Sequence, residues 1–272
     1  MNVVAMWSGG KDSYLAYHET ILKGFKVLSL FNYVFKNVER PTPYKALSLF
    51  NYVFKNVGRT TPHKVLSLLN FADKNVAGNI RHEIAPEIIA IQAQAMEMPL
   101  VQWTVTLETF EDQFKAMIRS LEPTVVEGVV WGVEEGGEVD VHRDRLHQVC
   151  DELGIKLILP LRGISEEQIL ASFMEKGFEA IIIVVDSNLL SEDWLGHKVD
   201  HKFLYEIRRL SLERGIPSGN IEYHTLVTDA PLLKKRLKVL RSRKVSKNGY
   251  SVLKISKVEL VEKTDTFKDE NS

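Results

Sequence analysis

Two serines, two glycines, a lysine and an aspartate stand together in Ser8-Gly9-Gly10-Lys11-Asp12-Ser13. These residue types can handle a phosphate group. Gly9 and Gly10 let the main chain approach an anion without a Cβ in the way. Ser8 and Ser13 supply hydroxyls, and Lys11 supplies a cation. Asp12 could help hold Mg2+, which takes few carboxylates together with phosphate oxygens, or it could cap a helix. The apolar run from Val3 to Trp7 reads as a buried strand, and the segment after Asp12 reads as a helix. The turn between them is where backbone N–H groups and the helix dipole favour an anion. The phosphate-loop pattern G-x-x-x-x-G-K-[ST] is absent.

The remaining elements must position this turn. Residues 14–23 read as a helix closed by Gly24, and Lys26 to Phe31 as a buried strand. Glu83 to Met96 has helical spacing of Ile84, Ile88, Ile91 and Ala95. A strand over Pro99–Trp103, a helix over Phe110–Ser120 and a strand over Val125–Gly132 follow. A helix over Arg143–Leu153 places Leu146, Val149, Cys150 and Leu153 on one face, with Cys150 as a core residue, before a strand over Lys156–Pro160. This alternation predicts an α/β domain with a parallel sheet over residues 1–162. A smaller α+β domain is expected over 163–263. It opens on the cap Ser165-Glu166-Glu167-Gln168, continues as a helix to Lys176, and contains a strand over Ala180–Val185. Asp200 is expected to cap a helix reaching Arg214, and Glu222–Val227 to form a strand. Lys234–Val245 and Tyr250–Val261 alternate like a hairpin around Lys247-Asn248-Gly249. Residues 264–272 form a polar tail.

A tandem repeat interrupts this order over residues 28–79. Leu28–Val38 recurs at Leu47–Val57, and a looser copy begins at Leu66, giving a period of 19 residues. Only one copy can occupy the sheet position beside the first strand. The links between copies barely reach the length of a parallel crossover and carry Pro41, Pro43 and Pro62, which oppose helix. The surplus copies are therefore expected to form an excursion on the rim of the site. Phe31, Tyr33, Phe35, Phe50, Tyr52 and Phe54 are expected to be exposed unless they cover each other or meet a partner surface.

The chain has 272 residues, 44% of them apolar, enough for a sizeable core. A net charge of −1 argues against a general polyanion binder, so a nucleic-acid partner is not expected. No apolar run approaches a membrane span, and the amino terminus lacks a signal-peptide layout. Cys150 is the sole cysteine, which excludes an intramolecular disulfide and any two-cysteine mechanism within one chain. A cytoplasmic protein is the natural expectation.

The hexapeptide Ser8–Ser13 matches the S-G-G-x-D-S signature of the PP-loop ATP pyrophosphatases. Later stretches resemble one branch of them, the diphthine–ammonia ligase family. These are Val139-Asp140-Val141-His142-Arg143-Asp144-Arg145, Trp194-Leu195-Gly196 with Asp200, Glu222-Tyr223-His224-Thr225, and Asp229-Ala230-Pro231-Leu232. The resemblance covers nearly the whole chain apart from the surplus repeats. It implies a PP-loop domain of the HUP-like, adenine nucleotide alpha hydrolase-like type, with a C-terminal substrate domain. It also implies ATP and Mg2+ as cofactors. The implied reaction adenylates the diphthine carboxylate of translation elongation factor 2, and ammonia then displaces AMP. By this resemblance Ser8, Gly9, Gly10, Lys11, Asp12 and Ser13 bind ATP, Asp12 also holds the metal, and Lys11, Asp12 and Glu222 are catalytic. Asp140, Arg143, Glu222 and Thr225 position the acceptor. A homo-oligomer is possible.

Two departures weaken the acceptor assignment. Ser218-Gly219-Asn220-Ile221 stands where the family has Gly-Glu-x-Gly, and Glu134–Glu138 lengthens the loop before Asp140. His224 could act as a base beside Glu222, but strand alternation is expected to turn it to the opposite face. Two other functions stand beside the ligase. One is a different PP-loop adenylating enzyme that modifies tRNA. The single cysteine and near-neutral charge count against it, although Lys234–Lys247 is locally basic. The other is a nucleotide-binding protein without turnover.

Overall fold

The computed structural model describes residues 1–35, 84–98, 100–105, 109–121, 126–132 and 141–263. Five parallel strands form the first sheet: β1 (Asn2–Met6), β2 (Lys26–Phe35), β3 (Val101–Val105), β4 (Gly128–Val130) and β5 (Lys156–Ile158). Their order is β3-β2-β1-β4-β5. Helices α1 (Lys11–Leu22), α2 (Pro86–Ala95), α3 (Phe110–Ser120) and α4 (Val141–Glu152) cover its faces. The order reverses between β1 and β4, so a crevice opens there at the carboxyl ends of the strands. The loop after β1 is Ser8–Ser13.

Strand alternation sorts β1 onto two cores. Val3, Ala5 and Trp7 join α1 and α2 on one face. Val4 and Met6 join Phe114 and Met117 of α3 and Leu146, Val149 and Cys150 of α4 on the other. Cys150 is fully buried, as expected, and burial pushes its thiol up to about 12.

The second sheet is antiparallel, in the order β7-β6-β9-β8. It comprises β6 (Glu179–Asp186), β7 (Tyr223–Asp229), β8 (Lys235–Lys247) and β9 (Tyr250–Glu262), with helices α5 (Glu166–Glu175) and α6 (His201–Arg214). Ser165 and Gln168 form the expected reciprocal cap of α5. Asp200 caps α6 by accepting from Phe203 N at 2.9 Å. The turn between β8 and β9 has positive φ at Asn248 and Gly249, the two-residue geometry that matches strand twist. Trp194-Leu195-Gly196 lies along β6 where β9 has parted from it. Gly196 N donates to Ile182 O, and Ile182 N donates to His197 O. The sheets share one apolar core, in which Trp7 and Tyr14 belong to the same cluster as Phe173, Phe203 and Leu226.

The first repeat copy supplies β2 and so takes the sheet position beside β1. Phe31 corrects one expectation: it is buried against Val4 and Met6 in the second core, not exposed. A strand paired on both edges and covered by helices hides both of its faces. The second copy, its excursion and the third copy lie outside the described residues.

Candidate active site

Tight local bonds shape the Ser8–Ser13 loop. Gly10 N donates to Ser8 Oγ at 3.3 Å, and Ser13 Oγ donates to Gly10 O at 2.9 Å. Helix α1 begins at Lys11 with Gly10 as its cap residue and no capping side chain. Asp12 therefore lies inside the first turn and does not cap the helix. The helix start lies at the carboxyl end of β1, beside the switch point between β1 and β4.

The second sheet holds this loop from behind. Val227 N donates to Gly9 O at 3.0 Å, so strand β7 pairs with the loop backbone. Gln92 of α2 donates through one nitrogen to Gly9 O at 3.1 Å and to Val227 O at 2.8 Å. Thr225 Oγ1 accepts from Lys11 N at 3.0 Å. The glycines serve this docking. A Cβ on Gly9, where φ is +77, would lie 2.4 Å from Gln92 Oε1; one on Gly10 would lie 3.1 Å from Thr225 O. Gly132, after β4, sits against the same turn, and a Cβ there would lie 2.5 Å from Asp12 O.

The Lys11 side chain turns into the protein. Its ammonium donates to Asp12 Oδ1 at 2.6 Å and to Glu166 Oε2 at 3.0 Å, and lies 5.3 Å from the centre of the Tyr223 ring. Glu166 is only 3% exposed and also accepts from the Tyr223 hydroxyl. Asp12 is one-third exposed. Desolvation raises its pKa above the ordinary carboxylate value; Lys11 opposes that and Glu166 adds to it. Desolvation also raises the Tyr223 hydroxyl well above its usual range, helped by Glu166.

Glu222 precedes β7 and accepts from Tyr250 Oη at 2.6 Å. His224 corrects another expectation: its Nε2 lies 3.6 Å from Glu222 Oε1. Residues two apart on an extended chain share a face, so His224 stays beside Glu222. Thr225 meets the loop backbone. Arg143 falls in the first turn of α4, downstream of β4; Asp140 lies outside the described residues. Sequence reasoning missed Glu166, Tyr223 and Gln92. Glu166 reads locally as a first-turn carboxylate, and nothing in its neighbourhood marks a partner 155 positions away.

The fold and loop define a doubly wound α/β protein with a glycine-rich strand–helix turn at its switch point, backed by a second antiparallel sheet. The chain belongs to the diphthamide synthase family: residues 51–157 match the diphthamide synthase N-terminal domain and residues 165–261 the C-terminal domain. The N-terminal match starts inside the second repeat copy, so Ser8–Ser13 precedes it. A diphthine–ammonia ligase of Rattus norvegicus is 29% identical over 174 residues, which is 58% of this chain and 64% of that relative's length. A predicted subunit of a tRNA methyltransferase from Methanocaldococcus jannaschii aligns at 14% identity with a TM-score of 0.39, over 85% of this chain and 98% of that one.

Proposed function

We propose that the protein is an ATP-dependent amide ligase that converts the diphthine carboxylate of translation elongation factor 2 into the amide of diphthamide. The carboxylate oxygen attacks the α-phosphorus of ATP and pyrophosphate leaves. Ammonia then attacks the activated carbonyl and AMP leaves, with a proton lost from nitrogen. The carrying observation is the glycine-rich loop Ser8–Ser13 that leads into α1 at the carboxyl end of β1, in a chain of this family.

The residues present fit a nucleotide. The first turn of α1 beyond the Lys11 N–H, which Thr225 takes, and the hydroxyls of Ser8 and Ser13 suit phosphate oxygens. The Lys11 ammonium, shared here between Asp12 and Glu166, would supply positive charge to the departing pyrophosphate on turning out from them. Gly9 and Gly10 bind through main chain, in a shape set by Gln92 and Thr225. Among the described residues no cluster of acidic, histidine or cysteine side chains could hold a metal alone. Mg2+ would rely on Asp12 and phosphate oxygens, as this ion commonly does. When bound it would neutralise phosphate charge. Glu222, held by Tyr250, would position the acceptor together with Asp140 and Arg143. Thr225 would act through Lys11 N by fixing the loop. No described helix is long and apolar enough to cross a membrane, and the reaction belongs in the cytoplasm with its protein substrate.

Purified protein with Mg-ATP, ammonia and diphthine-bearing factor is expected to release AMP and pyrophosphate in equal amounts. Asp12→Ala is expected to abolish this. Absence of AMP with the wild-type chain would overturn the ligase, and full turnover by the variant would remove Asp12 from the mechanism.

A further inference from the structure

The β8–β9 ladder changes character along its length. Near its base it pairs opposite charges, with Lys235 facing Glu262 and Lys238 facing Glu259. Further out it pairs like charges, with Arg241 facing Lys257 and Arg243 facing Lys254. All four of these cations are exposed, and none has an acidic partner among the described residues. Like charges directly opposite on a ladder are destabilising. The fold therefore carries a cost here that an anionic partner would remove. The block is local, because the whole chain carries a net charge of only −1.

We propose that this outer part of the β8–β9 hairpin docks an acidic stretch of a protein, which on the reading above is the protein substrate. Three observations favour a protein over a nucleic acid. Leu240, 41% exposed, stands at the bulge between Val239 and Arg241 and offers an apolar contact inside the block. None of the four cations has an aromatic side chain facing it in the ladder, so the block lacks a platform on which bases could stack. The hairpin also leads to the acceptor side: Tyr250 opens β9 and bonds Glu222. Lys254 lies four residues on, about 13 Å along the strand. A protein bound across the block would have its modified side chain within reach of the Glu222 end. β8 is the sheet edge, and its charges also keep other strands from pairing there.

The test uses the full-length chain and the double variant Arg241→Glu/Arg243→Glu. This variant places each glutamate opposite a lysine, so its melting temperature is expected to equal or exceed that of the wild type. The KM for the protein substrate is expected to rise at least tenfold while that for ATP stays fixed, and the wild-type KM is expected to rise with salt. An unchanged KM for the protein substrate would overturn the proposal. A second arm needs no turnover, and so separates this proposal from the ligase reading. Fluorescence anisotropy would follow a labelled poly-glutamate peptide and a labelled single-stranded RNA with the same number of charges. Binding of the peptide by the wild type and its loss in the variant would support the proposal. Peptide binding unchanged in the variant, no peptide binding, or binding of the RNA alone would each overturn it.

Discussion

Lys11 keeps its charge inside the protein, between the carboxylates of Asp12 and Glu166 and over the Tyr223 ring. A buried pair of this kind is worth most in what its loss would cost. Removing one partner leaves the other charged and desolvated, at about 3–5 kcal/mol. Lys11→Met is therefore expected to lower unfolding stability by that order, and Glu166→Gln in the same background to recover much of it. A double-mutant cycle in urea would measure the coupling, and strict additivity would deny it. Cys150 and Tyr17 make a second prediction. Burial raises both pKa values to about 12, from ordinary values of 9.0 and 10.0. Between those values the unfolded groups lose protons that the native groups keep. Stability should thus fall as pH rises above about 9. Cys150→Ala should flatten the lower part of that fall, and a thiol reagent at pH 8 should leave the native protein unlabelled.

At the scale of elements, the loop is shaped as much by what packs behind it as by what it would bind. Gly9 has φ +77 and faces Gln92, so Gly9→Ala meets both backbone strain and a clash. The strain alone is roughly 1–2 kcal/mol. The expected result is a lower melting temperature together with a weaker affinity for ATP, since the loop must shift. An unaltered affinity would show that the loop shape is not set by this contact. Asp200→Ala removes only a helix cap and should cost about 1 kcal/mol without changing ATP affinity. The capping residues of α5 and α6 and the Asn248–Gly249 turn were legible in the sequence because each depends on neighbours in the chain. The start of α1 was not. Asp12 looks like a cap, yet the helix already begins at Lys11, with Gly10 in the cap position and the Lys11 N–H held by Thr225 from a distant strand.

At the scale of the whole molecule, the two sheets are joined by one apolar core and by β7 hydrogen-bonded to the Ser8–Ser13 loop. Chemical unfolding is therefore expected to be a single transition, with tryptophan fluorescence and far-ultraviolet circular dichroism coinciding. Two separated transitions would show that the units at 1–162 and 163–263 are energetically independent. The sequence anticipated a division near residue 163. It did not show that the second unit forms the back wall of the first unit's loop.

Sequence alone determined the α/β alternation, the loop Ser8–Ser13 at a strand–helix junction, the helix caps and the closing hairpin. Each follows from side-chain periodicity or from contacts a few residues apart. Only the tertiary structure decided that the first repeat copy forms β2, that Phe31 is buried, and that His224 stays beside Glu222. It alone placed Glu166 and Tyr223 against Lys11. Those outcomes depend on which distant segments pack together, and a carboxylate carries no mark of a lysine 155 residues away until the fold brings the two within 3.0 Å.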